Sequence, residues 1–246
     1  IWPETNVANL MTDESGVTAA ALLPESETGR SAVLEVDYVV NAAGAWAGTV
    51  AMLADIDVSM QPSRGALVST DFQTETVVNR CRPKGEGDIL VPHGEHSVLG
   101  ATDIAVDGPD NYERAEAEVD LLFDELRPVL PGLAEAEPRE AFWGVRPLYE
   151  PSATGGVEPG ALSRGFTVLD HEERDDVWGI STVVGGKFTT HRLMAESVAD
   201  HVCAKFGIDR ECETAETPLP GGEETPPLAS FDTEPPVAAW GTADSP

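Results

Sequence analysis

The chain has 246 residues, 41% of them hydrophobic, which is enough to bury a core in one large domain or two modest ones. Its 44 acidic residues outnumber the 15 basic ones and give a net charge of −29, which argues against nucleic acid as a partner. Such an acidic surface is typical of proteins that stay soluble in concentrated salt, so we predict a halophilic protein.

The cysteines and the start of the chain bear on where the protein works. Cys81, Cys203 and Cys212 show neither CxxC spacing nor a disulfide framework, which predicts no metal site and a reducing, cytoplasmic environment. No run of about 18 apolar residues is present, so no membrane-spanning helix is predicted. The chain opens without a signal peptide or an initiating methionine, and we therefore expect a fragment.

The first hundred residues alternate apolar segments with turn residues, which predicts mostly strands. Three strands of an antiparallel meander are expected at residues 6–11, 17–23 and 32–41. A turn over residues 41–48 contains glycine and opens a helix that runs to about Ala54. Four further strands are expected in an antiparallel sheet, at residues 65–70, 76–81, 88–92 and 97–102.

The second half mixes helices and strands, so the predicted fold class is α+β. Apolar residues spaced by three and four predict a helix over residues 112–126, which Pro128 ends. Strands are expected at residues 141–149, 165–169 and 177–184, and a helix over residues 187–206. Beyond Gly207 the composition is that of a linker.

The most distinctive motif lies where the last predicted strand gives way to the last helix, with Gly185 and Gly186 before Lys187. Glycines let a ligand approach the backbone, and the first turn of a helix favours an anion. Lys187 is one of only three lysines in a very acidic chain, which indicates a local anionic ligand. The alternative is a helix start with ordinary capping threonines, and the glycine pair argues against it.

Two arginines and two histidines are further candidates. Arg146, held between Gly144 and Pro147 at the end of a strand, could fork a phosphate or a carboxylate, or pair with an internal carboxylate. Arg164 gives a weaker signal, because a lone arginine before a strand is usually solvated. His93 and His171 are candidate acid–base residues, although a structural role is favoured for each.

Several segments together resemble one family. Residues 39–46 (VVNAAGAW) resemble the second flavin-contact motif of the amino-acid-oxidase-like FAD superfamily. Residues 144–148, 163–165 and 185–196 (GVRPL, SRG and GGKFTTHRLMAE) narrow the resemblance to FAD-dependent glycerol-3-phosphate dehydrogenase. Segments at 79–83, 88–92 and 169–175 are similar to its anaerobic, A-subunit branch.

The resemblance implies a division of the chain and a cofactor. Residues 1–57 and 165–207 would form the C-terminal part of a Rossmann-like FAD-binding domain with a β-meander. Residues 58–164 would form an antiparallel-sheet substrate domain capped by helices, and residues 208–246 a Pro/Gly/Glu-rich linker or tail. Six residues would lie near the FAD: Ala43, Gly44, Trp46, Gly186, Phe188 and Thr189.

The resemblance also implies a reaction, the oxidation of sn-glycerol 3-phosphate to dihydroxyacetone phosphate. Electrons would pass to a quinone through partner subunits, so that a cytoplasmic protein would meet the inner face of the cell membrane through these partners. Three cations would contact the substrate, mainly its phosphate: Arg146, Arg164 and Lys187. The general base is unassigned, since Leu67 stands where relatives of the aerobic branch carry a histidine.

One expected motif is absent from the sequence. The family's βαβ unit with Gly-x-Gly-x-x-Gly, which binds the FAD pyrophosphate, does not occur in these 246 residues. We therefore expect this chain by itself to bind FAD poorly and to be inactive. Two alternatives stay open: another flavoenzyme of the superfamily, such as an amine or amino-acid oxidase, or a non-catalytic interaction module.

Overall fold

The computed structural model describes residues 1–26, 29–80, 88–149, 165–219 and 222. The chain forms two compact units. The first unit comprises residues 1–64, 103–113 and 144–212, and the second comprises residues 65–102, 114–143 and 213–246. The assignment of one part of the chain to FAD and another to the substrate stays a prediction.

The first unit begins with the predicted antiparallel meander. Strands β1 (Thr5–Asp13), β2 (Gly16–Pro24) and β3 (Ala32–Glu35) pair in that order, which confirms the prediction for the first two strands and the start of the third. The alternation along β2 places one row of side chains, including Val17, Ala20 and Leu22, in the core of the unit. The meander therefore has one buried face.

The predicted third strand is in fact two strands in different sheets. The N–H of Val36 still bonds the carbonyl of Thr18 in the meander, at 3.0 Å, whereas the N–H of Val39 bonds the carbonyl of Gly179, at 2.8 Å. Strand β4 (Val39–Asn41) thus leaves the meander, and its partner is a strand far along the chain. Local alternation could not reveal this change, because both segments have strand-like patterns.

A short helical segment follows β4. Helix α1 (Ala47–Ala51) is flanked by single 3₁₀ turns at Gly44–Trp46 and Met52–Ala54, and it ends at Asp55, whose φ is 57°. The small residues Ala47 and Ala51 are fully buried and let the segment pack closely on the core. This confirms the predicted helix as a series of three short pieces.

The rest of the first unit completes the small sheet that contains β4. Strand β11 (Phe166–Asp170) leads through helix α3 (His171–Asp175) into β12 (Ile180–Gly185), and the sheet order is β11-β12-β4. A 3₁₀ turn at Phe188–Thr190 then opens helix α4 (His191–Lys205), which begins four residues later than predicted. The core joins both sheets and α1, with buried Leu10, Ile56, Leu169, Ile180 and Val184 among its members.

The second unit is an antiparallel sheet covered by a helix. Its strands are β5 (Ser63–Thr70), β6 (Val78–Asn79), β7 (Ile89–His93), β8 (His96–Gly100) and β10 (Pro138–Arg146), in the order β10-β5-β8-β7-β6. The first two residues of β5 also pair with the short strand β9 (Ile104–Ala105), which the sequence did not predict.

Helix α2 (Glu116–Leu126) covers this second sheet with the apolar stripe that its spacing predicts. Leu122, Phe123 and Leu126 pack with Val68, Leu90 and Leu99. The mixed small sheets and few helices confirm an α+β fold. None of the helices in the described residues is long and apolar enough to span a membrane.

Candidate functional site

Two loops that carry the predicted flavin contacts follow a pair of parallel strands. β4 and β12 run in the same direction, with Val39 opposite Ile180 and Asn41 opposite Thr182. Their carboxyl ends therefore point to the same edge of the small sheet, where ligands bind in open α/β sheets. Ala43, Gly44 and Trp46 lie in the loop after β4, and Gly186, Phe188 and Thr189 in the loop after β12. The two segments predicted from separate motifs thus share one edge.

The loop after β4 is held from within by Asn41, which is only 2% exposed. Its side-chain amide donates to the carbonyl of Ala47 at 2.8 Å and accepts from the N–H of Ala43 at 3.3 Å. Gly44 has φ 58°, and a Cβ added there would meet nothing within 4 Å. The inner side of this loop is therefore fixed, while its backbone at Gly44 is open to a ligand.

The loop after β12 requires its first glycine. Gly185 has φ 73°, and a Cβ at this position would collide with the backbone carbonyl of Gly165. Beyond it, the hydroxyl of Thr190 accepts from the N–H of Lys187 at 3.0 Å and donates to its carbonyl at 2.9 Å. The backbone of Lys187 is thus fixed, and its side chain extends from an ordered position.

An apolar groove borders both loops. It has a volume of about 530 Å³ and lies between α4 and the strands β4 and β12, lined among others by Val40, Ala42, Val183, His191, Met194 and Val198. Ala42 directly precedes the first predicted flavin contact, and His191 stacks on Phe188 with their rings 5.4 Å apart. Phe188 is 89% exposed. Exposed aromatic and apolar surface beside open glycine backbone fits a planar, largely apolar ring system such as a flavin.

The lysines differ sharply in their surroundings. The Lys205 ammonium lies 2.6 Å from the carboxylates of both Asp170 and Glu172, and these hydrogen bonds, Asp170 first, raise the pKa of Lys205 above its ordinary value. Lys187 is exposed and has no carboxylate partner among the residues that the structure describes. Lys84 lies outside them. In a chain of net charge −29, Lys187 is therefore a cation with no internal counterion in the described part.

Arg146 has an internal partner. It ends β10, and its Nη1 lies 3.4 Å from the Asp103 carboxylate and 3.4 Å from the Ser63 hydroxyl, which itself bonds Asp103. The ion pair that the sequence left open is therefore present, and binding of a phosphate by Arg146 stays a prediction. Arg164, the third predicted substrate contact, lies outside the described residues.

The histidines have structural surroundings or solvent around them. His171 is fully buried, and both of its ring nitrogens have hydrogen-bond partners. His93 is exposed at the end of the β7–β8 hairpin. No group of three or more His, Cys, Asp or Glu side chains within the described ranges could hold a metal ion. The site therefore consists of backbone, apolar surface and a few cations.

Residues 2–201 match the family described as DAO, the FAD-dependent oxidoreductases, and the chain belongs to this family. Within it, the chain is similar to the large flavoprotein component, the A component, of anaerobic glycerol-3-phosphate dehydrogenase. It is 48% identical to the A1 component from Haloferax volcanii over 206 residues, which are 83% of this chain and 35% of that protein. It is 41% identical to the A component from Escherichia coli K12 over 205 residues, which are 80% of this chain and 36% of that protein.

These matches confirm the resemblance to the anaerobic branch, and a Haloferax relative fits the salt adaptation predicted from the charge. The chain spans about a third of the length of these relatives.

Solved structures agree on the fold. The glycerol-3-phosphate dehydrogenase of Bacillus halodurans, solved with FAD, matches with a TM-score of 0.69 and 21% identity over 89% of this chain and 42% of that one. A glycine oxidase of Bacillus cereus matches with a TM-score of 0.59 and 17% identity over 86% of this chain and 52% of that one. At such identities the matches establish the flavoenzyme fold alone.

Proposed function

We propose that this chain is the part of a glycerol-3-phosphate dehydrogenase that forms one side of the flavin site and contributes cations for the substrate. In the native protein, meaning this sequence in the polypeptide and assembly that the cell makes, sn-glycerol 3-phosphate is oxidised to dihydroxyacetone phosphate. The supporting observation is that two separate loops open at one edge of the β4–β12 pair beside an apolar groove. The relatives' names supply the substrate.

FAD, when bound, supplies the two-electron oxidising chemistry. Gly44 and Gly186 leave the backbone accessible on the two loops, and Trp46 and Phe188 offer exposed aromatic surface to the ring system. Ala43 and Thr189 complete the proposed contacts. The task of this part of the chain is to orient the flavin ring and to exclude water from one side of it.

The phosphate of the substrate is assigned first to Lys187. A doubly charged phosphate needs positive charge, and Lys187 offers a cation without an internal counterion in the described part of the chain. Arg146 would add a second donor group next to its pair with Asp103. Arg164 is proposed as the third contact on the motif alone.

Oxidation of the alcohol also requires a base for the hydroxyl proton, and His171 does not fit this role. Its ring is fully buried, and both nitrogens are occupied by Asp175 and Thr182. A general base must come within hydrogen-bond reach of the proton that it takes. We therefore assign His171 no direct contact with the substrate.

Partners are proposed from the relatives. Both curated relatives are named as one lettered component of an enzyme, which supports further subunits in the native assembly. We propose that electrons pass through these subunits to a quinone at the inner face of the cell membrane. The proposed cytoplasmic location follows from the same arrangement.

Substrate oxidation by the native protein, purified with any partner subunits, tests the proposal. Initial rates with a dye as electron acceptor are compared for sn-glycerol 3-phosphate, glycerol, glycine and sarcosine. We expect turnover of glycerol 3-phosphate alone, because glycerol lacks the phosphate and the two amino acids carry a carboxylate instead. Turnover of glycine or sarcosine without glycerol 3-phosphate would identify an amine or amino-acid oxidase and overturn the proposal.

A further inference from the structure

A chain of buried hydrogen bonds joins helix α3 to the flavin-contact loop after β4. His171 Nδ1 lies 2.6 Å from a carboxylate oxygen of Asp175, and His171 Nε2 lies 2.7 Å from the hydroxyl of Thr182. The side-chain amide of Asn41 donates to the same hydroxyl at 3.2 Å. His171 and Thr182 are 0% exposed. The hydrogen bonds therefore link three elements through side chains that are shielded from water.

The donors and acceptors allow one direction along this chain with a neutral imidazole. A carboxylate only accepts, so His171 Nδ1 donates to Asp175, and His171 Nε2 accepts from the hydroxyl of Thr182. The Thr182 oxygen then accepts from the Asn41 amide, which has a second N–H for the carbonyl of Ala47. This orientation leaves the Asn41 carbonyl oxygen facing the N–H of Ala43.

The chain thus determines which way the Asn41 amide is turned. A reversed amide would place its N–H₂ group against the N–H of Ala43 and its oxygen against the carbonyl of Ala47, and both contacts would be repulsive. Ala43 and Ala47 lie on either side of Gly44 and Trp46. The orientation of one buried amide therefore fixes both ends of the loop that is proposed to contact the flavin.

We propose that His171, acting through Thr182 and Asn41, is a positioning residue that holds the flavin-contact loop 42–47 in its binding conformation. This inference rests on the proposed role of that loop in binding FAD. His171 touches neither cofactor nor substrate in this assignment. Its contribution is the order of a loop that would otherwise have to be ordered when the cofactor binds.

The test substitution is Thr182→Val, which keeps the shape of the side chain and removes the hydroxyl that links His171 to Asn41. Ser181→Ala is the matched control. Ser181 is the neighbouring residue of β12 and equally buried, and its hydroxyl bonds Tyr38 and His201 instead. Both substitutions remove one buried hydroxyl from the same strand, so a merely structural role predicts similar effects. Thr182→Ser, which restores the hydroxyl, is the rescue variant.

Two measurements on the native protein separate the outcomes. In the apoprotein, hydrogen–deuterium exchange of a peptide covering residues 42–47 should be about tenfold faster in Thr182→Val than in the parent or in Ser181→Ala. Titration with FAD should give about tenfold weaker binding in Thr182→Val, with recovery in Thr182→Ser. His171→Phe should reproduce the Thr182→Val effect.

Equal loop exchange and equal FAD affinity in Thr182→Val and Ser181→Ala would overturn the positioning role, even if both variants lose thermal stability. Such a result would leave the proposed function intact if the parent still oxidises glycerol 3-phosphate. Conversely, a parent protein that binds FAD but oxidises only an amino acid would overturn the substrate assignment and leave the loop measurement valid. The two failures are therefore distinguishable.

Discussion

The ammonium group of Lys205 lies 2.6 Å from the carboxylate of Asp170 and ties the end of α4 to the end of β11. The same ammonium contacts Glu172 at the start of α3 and lies over the ring of Trp178, 5.6 Å from its centre. Both members of the Lys205–Asp170 pair are largely buried, so salt screens their attraction less than it screens exposed pairs. A cation with so many internal partners is explained by the fold.

Replacing Lys205 should therefore reduce stability, whereas replacing Lys187 should not. Lys205→Met is expected to lower the free energy of unfolding by about 1–2 kcal/mol, because it leaves the Asp170 carboxylate without its charged partner. Lys187→Met is the matched control, since it removes the same charge from an exposed position without an ion pair in the described residues. Urea unfolding of the two variants measures the difference. Equal losses would contradict the account of the two lysines.

The Asp170 pair should also produce a defined pH dependence. Burial raises the pKa of the Asp170 carboxyl, but the hydrogen bond and charge of Lys205 outweigh burial and hold the pKa below its ordinary value. A lowered pKa in the folded state gives stability that is present above about pH 4 and is lost as the pH falls through the folded-state pKa. The raised pKa of Lys205 keeps the pair charged at neutral pH.

The measurement is the free energy of unfolding as a function of pH for the parent and for Asp170→Asn. Asparagine can still accept the N–H of Glu172, which Asp170 caps at 3.1 Å, so the substitution removes the charge and keeps the cap. We expect the parent to be more stable at pH 5–8 and the gap to close as the pH falls below about 4. A gap that stays constant to pH 2 would show that the pair contributes nothing.

Gly185 should tolerate no side chain. Gly185→Ala combines a positive φ with a collision against the Gly165 carbonyl, and we expect a loss of at least about 2 kcal/mol in the free energy of unfolding. Gly94→Ala is the control, because Gly94 has φ 59° but open space around its Cβ position. Only the left-handed backbone penalty of about 1 kcal/mol applies there. Thermal unfolding of both variants distinguishes the two costs, and equal values would contradict the close approach.

The isolated chain should retain little cofactor. The pyrophosphate-binding Gly-x-Gly-x-x-Gly unit does not occur in its sequence, and the two loops described above contact only the ring system in the proposed arrangement. Gel filtration of the 246-residue chain after incubation with FAD, followed by its absorbance spectrum, measures retention. The native protein on the same column is the control. A flavin spectrum that stays with the isolated chain would refute this expectation.

Sequence reasoning succeeds where the cause is local and fails where it lies far along the chain. The glycine pair before Lys187 and the scarcity of lysine are visible in the sequence, and they lead to the loop after β12. The change of sheet between β3 and β4 escapes it, because β4 pairs with β12, about 140 residues away. Helix α3, with five residues, is too short for a helical period to emerge.

The same distinction applies to the candidate site. Arg146 stands out through its glycine and proline neighbours, but its partner Asp103 is 43 residues away and carries no local signal. Asn41 is visible in the sequence only as part of a motif, and its links to Thr182 and His171 depend on parallel pairing and on a five-residue helix. Side-chain networks of this kind become visible only when the pairing of strands is known.

Steady-state oxidation of sn-glycerol 3-phosphate by the native protein and its Lys187→Met variant tests the central claim most directly. The account predicts that Lys187→Met lowers kcat/KM for glycerol 3-phosphate by about tenfold or more, mainly through KM, while its FAD content and unfolding free energy stay those of the parent. Lys205→Met, with its fully formed site, should keep kcat/KM near the parent value. Equal kcat/KM in the parent and in Lys187→Met would contradict a phosphate site at this loop.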